Sequence, residues 1–291
     1  MLTQSNPGFV NLGLKLGKET LMKYIDNYGF GEKTGIDLNG EGSGILFDVD
    51  AMGNVELATT AFGQGISVTP IQQARAVSAV VNGGTLYTPY IVKNFLESET
   101  DTIVKSINPT EVGKVISDET SEIVRYALES VVAKGSGHNA YIENYRIGGK
   151  TGTAQTVENG VYSDSKYILS FIGFMPADDP EVVVYVAVQN AKNVVQYGGT
   201  VAAPIARNIF LSAIDILDIK ADTEGIPKEY TWLDTKYVTV PDVTGMTLDE
   251  ATAALKGFNI EYSGNGEEVV YQTPNGGMYA KEGGTVVLML N

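Results

Sequence analysis

Apolar side chains recur at helical spacing in four stretches of the chain. Residues 9–28 carry them at intervals of three to four, which predicts one mostly buried helix that ends at Gly29. Another helix has a clear start, because Thr69 can cap it, Pro70 takes its first position and Gln72 completes a capping box. The same spacing predicts helices at residues 117–134 and 202–216.

Runs of β-branched and aromatic residues predict strands. Residues 145–155 form a strand that is opened by glycines, and residues 166–174 and 182–188 are two apolar runs. A short turn rich in proline and aspartate joins the last two, which predicts an antiparallel hairpin. Residues 34–60 are rich in glycine, aspartate and asparagine, and they predict loops with short strands.

The pattern changes after the last long helix. Residues 218–237 are polar, acidic and broken by Gly225 and Pro227, which predicts a linker. Residues 238–291 then predict several short strands and one short helix. A segment of this length can form a small α+β module with a core of its own. The sequence therefore predicts a large domain over residues 1–217, the linker, and a small domain over residues 238–291.

Composition and charge narrow the possible functions. Of 291 residues, 43% are hydrophobic, which predicts a sizeable core, and the net charge of −15 argues against a nucleic-acid partner because it repels phosphates. The chain has no cysteine, which excludes thiolate catalysis and iron–sulfur clusters. The single histidine, His138, lies in a loop composition and cannot form a two-histidine metal site. We expect no metal or organic cofactor, and no apolar run approaches the roughly 18 residues of a membrane span.

Candidate chemistry is concentrated in the segment Gly148-Gly-Lys-Thr-Gly-Thr-Ala-Gln155. On a strand, Lys150 and Gly152 share one face while Thr151 and Thr153 share the other. An exposed strand edge can pair with an extended peptide, and lysine and threonine donors suit a carboxylate. A phosphate loop is excluded because Asn144 stands where that motif requires glycine. An ordinary exposed strand remains the alternative for the tripeptide taken alone.

Further segments extend the pattern well beyond one tripeptide. They follow in order at residues 61–70, 73–76, 82–84, 139–142 and 170–177. With them, residues 5–216 resemble the class B penicillin-binding proteins, the D,D-transpeptidases of the division and sporulation type. The Val240-Pro-Asp-Val243 segment, with the Gly283-Gly-Thr-Val286 segment near the end of the chain, resembles a PASTA domain.

The resemblance implies a fold and a location. The large domain is expected to have the α/β (α+β) penicillin-binding transpeptidase or β-lactamase-like fold, with an antiparallel sheet flanked by helices and its early helices missing. A small α+β PASTA domain is expected to follow. Members act at the extracytoplasmic face of the cell membrane and in the cell wall, so membrane contact is expected only through an N-terminal anchor that this chain lacks.

The resemblance also implies a mechanism, a two-step acyl transfer. A serine attacks the D-Ala-D-Ala bond of a peptidoglycan stem peptide, β-lactams compete for the same site, and an amine resolves the acyl-enzyme. Lys150 and Thr151 would orient the substrate carboxylate and polarise the proton network, while Gly152 leaves room for the substrate. Thr153 would lend its N–H to the oxyanion hole and its hydroxyl to the carboxylate, and Gln155 completes the substrate-binding set.

Two departures from the family pattern concern the catalytic residues. The one Ser-x-x-Lys match, Ser163 to Lys166, follows the Lys-Thr-Gly strand in a polar hairpin turn, whereas the family nucleophile precedes that strand and begins a buried helix. Asn6 fits the Asn of the second motif, Ser-x-Asn, but Gln4 stands at its serine position and Ser5 is out of register. We therefore expect an N-terminally truncated enzyme that is inactive alone.

Two other functions are compatible with these residues. The chain could be a non-catalytic module that holds peptidoglycan or a division partner through the strand edge or through residues 238–291. A β-lactam-hydrolysing enzyme shares the Lys-Thr-Gly element, but the PASTA-like segment fits such an enzyme poorly.

Overall fold

The computed structural model describes residues 5–158, 161–229 and 236–291. The chain divides into two compact units, Met1–Lys228 and Glu229–Asn291. Each unit is built around buried apolar side chains of its own.

The first unit opens with two helices where the sequence predicts one. Helix α1 spans Asn6–Leu16 and helix α2 spans Lys18–Asn27, and Gly17 separates them with φ 82° and ψ 156°. Glycine adopts that conformation freely, so it breaks the helix without a steric penalty. The prediction of a continuous helix over residues 9–28 is therefore wrong at this residue.

A third helix lies inside the segment that the composition assigns to loops. Helix α3 spans Asn54–Ala61, and the Glu56 carboxylate caps it by accepting the Gly53 N–H at 3.0 Å. Leu57 is buried and packs with Met22 of α2. With eight residues, α3 is too short for a periodic pattern to stand out from the surrounding glycines.

The next helices have the ends that their capping residues predict. Helix α4 spans Pro70–Val81, with reciprocal capping bonds between Thr69 and Gln72, and helix α5 spans Asp118–Lys134. A ribbon of short strands, which the sequence pattern does not predict, joins them. Its antiparallel pairs are β1 (Thr85–Thr88) with β4 (Thr110–Lys114), and β2 (Asn94–Leu96) with β3 (Ile103–Ser106).

An antiparallel sheet forms the centre of the first unit. Its strands are β5 (Gly148–Glu158), β6 (Val161–Met175) and β7 (Val182–Gln189), in that order across the sheet. The hairpin predicted between the last two strands is confirmed by their pairing. Strand β5 begins at residue 148 rather than 145, because the Tyr145 N–H closes a turn onto the Ile142 carbonyl.

Helix α6, Gly198–Leu217, covers one face of this sheet. Ala202, Ala206 and Phe210 are among its buried side chains, and the helix packs on strands β6 and β7. The two alanines are small, so they allow the helix to approach the sheet closely. Within the described residues α6 is the one helix long and apolar enough to cross a membrane, a length that the sequence pattern does not predict. A helix packed on a sheet in a protein core has the same composition.

The first residues of the predicted linker contact the first unit. Ile219 is buried, and the Asp222 N–H donates to the Asn144 carbonyl at 2.8 Å, so residues 219–227 lie on the first unit. Polar composition does not reveal these backbone bonds. The part of the linker at residues 230–235 lies outside the described residues, and domain limits at 217 and 238 remain a prediction.

The second unit is a small α+β module. Its elements are β8 (Tyr237–Thr239), α7 (Leu248–Ala254), β9 (Asn259–Ser263), β10 (Val269–Thr273), β11 (Tyr279–Lys281) and β12 (Thr285–Leu290). Strand β12 lies between β10 and β9, and β8 pairs with β11. Val240, Leu255 and Leu288 are among the fully buried side chains, which gives the module its own core.

Candidate active site

Strand β5 presents its residues to two different environments. Lys150 stands opposite Ile172 and Gly152 opposite Ser170 in the register with β6, whereas Thr151 stands opposite Phe171. Directly opposed residues share one face of a sheet, so the alternation read from the sequence is confirmed by the pairing.

Lys150 lies half-buried on its face. Its Nζ donates to the Thr151 carbonyl at 3.0 Å, and burial lowers the pKa of the amine below its usual value. A lysine with a lowered pKa gives up its proton closer to neutral pH than an exposed lysine does. This is the property required of an amine that takes part in proton transfer.

A cavity of about 370 Å³ lies beside this face of the sheet. It is bounded by the sheet on one side and by helices α4 and α5 on the other. The lining includes Val77, Val80, Leu128, Lys150, Ser170 and Tyr185. A mostly apolar pocket that also contains an amine and several hydroxyl groups can hold an apolar group and orient a polar one.

Ser170 occupies the space that a side chain at position 152 would need. A Cβ on Gly152 would collide with the Ser170 Oγ, so a larger residue at this position requires the Ser170 hydroxyl to rotate away. Ser170 also donates a hydrogen bond to Tyr185, which opposes the rise that burial produces in the pKa of this tyrosine. Gly152 thus leaves room for the Ser170 side chain, and its role toward a substrate stays a prediction.

The two threonines are held from the opposite face. The Thr151 and Ser136 hydroxyls lie 2.9 Å apart, and the Gly198 N–H at the start of α6 donates to the Thr153 Oγ1 at 3.2 Å. A Cβ on Gly198 would collide with the carbonyl oxygens of Gly152 and Ser170. Glycine at this position lets the end of the helix approach the strand closely.

The loop between α5 and β5 is fixed by its own contacts. A ring nitrogen of His138, Nδ1, lies 2.9 Å from the Gly135 carbonyl, and Asn139 donates to the Gly199 carbonyl at 2.8 Å. His138 begins a short 3₁₀ helix and is half-buried, so it is a structural residue of the loop. Among the described residues no group of acidic residues and histidines could hold a metal ion.

Two predicted site residues lie elsewhere. The Gln155 amide donates to the Ser163 carbonyl at 3.1 Å, which ties it to the hairpin. Asn6 is exposed in the first turn of α1, where the Ser5 hydroxyl accepts the Gly8 N–H at 3.1 Å, and Asn6 makes no hydrogen bond to β5 in the described part of the chain. Gln4 lies outside the described residues.

The Ser-x-x-Lys match is not a helical motif. Ser163 and Lys166 both lie in strand β6, next to Gln155 and Thr156 of β5. Gln155 stands five residues beyond Lys150, which is about 16 Å along an extended strand. The structure thus separates Ser163 from the Lys150 amine, in agreement with a chance match.

Ser136, Tyr185 and Gly198 belong to this site and were not assigned to it from the sequence. Each lies 15 or more positions from the strand residues that it supports. The predicted hairpin pairs β6 with β7, so it does not reveal that Ser170 of β6 stands opposite Gly152 of β5. The contacts of Ser136 and Gly198 depend on how α5 and α6 pack on the sheet.

A comparison with protein-family models decides which family the chain belongs to. The model of the penicillin binding protein transpeptidase domain matches residues 1–211. The chain belongs to this family. The PASTA domain model matches residues 238–291 of this penicillin-binding protein, so both resemblances read from the sequence are confirmed.

The chain covers only part of the length of its curated relatives. Stage V sporulation protein D of Bacillus subtilis is 56% identical over 285 residues, which cover 98% of this chain and 44% of the relative. The penicillin-binding protein PbpB of Mycolicibacterium smegmatis is 33% identical over 70% of this chain and 33% of the relative. The chain thus spans less than half of either relative, and both support its place in class B.

Solved structures confirm the expected fold. Penicillin-binding protein 3 of Mycobacterium tuberculosis in complex with ampicillin matches 78% of this chain and 53% of that chain, with 28% identity and a TM-score of 0.70. The apo transpeptidase domain of Burkholderia pseudomallei penicillin-binding protein 3 covers 75% of this chain and 63% of that chain, with 30% identity and a TM-score of 0.66.

Proposed function

We propose that this chain supplies the substrate-docking part of a peptidoglycan D,D-transpeptidase, which cross-links stem peptides by acyl transfer through a serine. Strand β5 carries the proposal. It lies at the edge of its three-stranded sheet, with a half-buried amine beside a cavity and two threonine hydroxyls held by neighbouring elements. The reaction takes place on the outer side of the cell membrane, in the cell wall.

An extended stem peptide would pair with the edge of β5 through main-chain hydrogen bonds. Since the Thr153 Oγ1 accepts the Gly198 N–H, its own O–H can donate to the terminal carboxylate of the peptide. The Thr151 hydroxyl and the Gly152 backbone would line the same edge, and Gln155 would act further along it. The Thr153 N–H is the proposed oxyanion donor.

Lys150 and Asn6 are the proposed members of the proton network. Burial already lowers the pKa of Lys150, which supports a role in proton transfer. The role of Asn6 rests on its motif, since the residue is exposed at the first turn of α1. Asn6 would have to face the site together with the serine, and we infer that Ser163 is not that serine.

A titration of the isotopically labelled chain with an acylated dipeptide ending in D-Ala-D-Ala tests the docking strand. We expect amide shifts at residues 148–153, and about tenfold weaker binding by a Thr153→Val variant, which loses one hydrogen bond to a charged group. The same peptide with a C-terminal amide is the matched control, because it lacks the carboxylate. Equal binding of acid and amide would contradict the proposal.

Incubation with a fluorescent penicillin tests the nucleophile in the same samples. The chain alone should form no covalent adduct, and a labelled serine found by peptide mapping would overturn this part. The alternative function, a non-catalytic wall-binding module, predicts shifts confined to residues 238–291.

A further inference from the structure

The segment that follows α6 is docked on the first unit as a strap, defined here as residues 219–227. Its Asp222 N–H donates to the Asn144 carbonyl at 2.8 Å, and its Ile226 N–H donates to Glu129 Oε1 at 3.0 Å. Ile219 at its start is 6% exposed. Two backbone bonds and one buried side chain therefore hold a stretch with the composition of a loop.

Arg146 and Glu129 form the centre of this contact. The guanidinium donates through Nε and Nη2 to the two carboxylate oxygens at 3.2 and 2.9 Å, and Glu129 is almost completely buried. The Arg146 Nη1 also lies 3.6 Å from carboxylate oxygens of both Asp178 and Asp222. One guanidinium thus interacts with three carboxylates, one of which belongs to the strap.

The strap crosses this ion pair at close range. A Cβ on Gly225 would lie 2.8 Å from the Arg146 Cγ and 3.1 Å from Glu129 Oε1. There is no room for even one methyl group between the strap and the pair. Gly225, which the composition marks as a linker residue, is therefore a packing residue.

The ion pair connects the strap to both elements that carry the site. Arg146 stands two residues before the start of β5 and four before Lys150, and the intervening Ile147 is 2% exposed. Glu129 lies on α5, and the loop after α5 carries Ser136, whose hydroxyl contacts Thr151. A change in the strap contact would reach β5 directly along the chain from Arg146, and also through α5 and the hydroxyl contact between Ser136 and Thr151.

We propose that Arg146 is a positioning residue, and that it clamps the strap onto α5 and so fixes the entrance of strand β5. When the strap undocks, Asp222 leaves the guanidinium, which then contacts only Glu129 and Asp178. Undocking also removes the hydrogen bond from the Ile226 N–H to Glu129. The first residues of β5 then become more mobile. The inference goes beyond the proposed function, because it concerns packing and holds whether or not the chain binds stem peptides.

A Gly225→Ala variant tests the strap without removing any charge. The added methyl group should undock the strap, so the Ile226 amide should lose its protection from hydrogen exchange. Trypsin should cut after the exposed Lys220 roughly tenfold faster, because cleavage needs local opening of the segment. Amides of residues 148–150 should exchange faster, while those of residues 285–290 keep the parent rate. Gly113→Ala is the matched control, since nothing lies within 4 Å of its Cβ.

A second variant separates the clamp from the strap. Arg146→Lys keeps the positive charge but loses the two-pronged bond to Glu129, so it should raise exchange at Ile226 and at residues 148–150 less than Arg146→Gln does. Strap docking would be overturned if, in the Gly225→Ala variant, the Ile226 amide stayed protected from hydrogen exchange and the bond after Lys220 stayed resistant to trypsin. Faster cleavage at Lys220 with unchanged exchange at residues 148–150 would overturn the positioning role. The alanine variant keeps both outcomes measurable if Arg146→Gln does not fold.

Discussion

At the scale of single residues, Lys150 differs from the chain's exposed lysines in what surrounds its amine. The cavity wall shields it, and burial lowers the pKa of the amine from the ordinary value of 10.5. Such a shift is a cost to the folded state, since the protonated amine is better solvated in the unfolded chain. Sites that transfer protons are often built at this kind of cost.

A Lys150→Met variant should reveal this cost as a pH dependence of stability. Because the folded pKa lies below the unfolded value, the unfolded state binds more protons between the two, and the stability of the parent rises with pH across that window. The variant should therefore be more stable than the parent at pH 7, and the gain should shrink toward pH 10.5. Urea unfolding at both pH values measures the difference.

Lys23→Met, at an exposed position of α2, corrects that comparison for the loss of one positive charge. A gain for Lys150→Met that stays constant from pH 7 to pH 10 would contradict a lowered pKa.

At the scale of elements, the start of α6 and strand β5 are in direct contact. A Cβ on Gly198 would collide with two backbone oxygens, those of Gly152 and Ser170. A Cβ on Gly152 would collide only with the end of the Ser170 side chain. A serine hydroxyl can rotate away, at the loss of its bond to Tyr185, but a carbonyl in a paired sheet cannot move alone. The two glycines are therefore constrained to different degrees.

Alanine substitutions should rank accordingly. Gly198→Ala should lower the free energy of unfolding of the first unit by about 2–3 kcal/mol, because the helix must shift. Gly152→Ala should cost only about 1 kcal/mol, the value of one hydrogen bond and a rotamer change. Gly113→Ala, in open space, is the control for denaturant unfolding. The reverse order of the two costs would show that the strand yields more easily than the serine.

At the scale of the whole molecule, two units with separate cores share one chain. The second depends on Gln272, which is 3% exposed and accepts the Val243 N–H at 2.7 Å. Its amide donates to the carbonyls of Pro241 and Pro274 at 3.0 and 3.1 Å. One side chain thus joins three loop positions in a module too small to hold much reserve stability.

A Gln272→Ala variant should unfold the second unit selectively. The substitution leaves the Val243 N–H and the carbonyls of Pro241 and Pro274 without their partner. The cost is about 2–4 kcal/mol, which is most of the free energy of unfolding of so small a module. Hydrogen exchange should accelerate in β10 and β12 and stay unchanged in β5 and β6. Tyr271→Ala, at the exposed neighbouring position, is the control. Retained protection in β12 would show that the core alone suffices.

Short-range patterns explain which elements could be predicted. The capping box at Thr69 and Gln72, the alternation around Lys150 and the hairpin of β6 and β7 depend on neighbours within a few residues. Gly17 and α3 were missed because one residue in a left-handed conformation and one eight-residue helix leave weak patterns. The ribbon from β1 to β4 is mostly exposed and carries little period-two signal.

By itself the sequence determined the family, the two-part organisation and the strand whose faces carry Lys150 and the threonines. Only the tertiary structure decided what holds those residues: Ser136 against Thr151, Gly198 against Thr153, and the strap against Arg146 and Glu129. The physical reason is range. Strand alternation and helix caps are fixed by the local backbone, whereas these contacts join residues between 15 and 97 positions apart, which only the packing of α5, α6 and the sheet brings together.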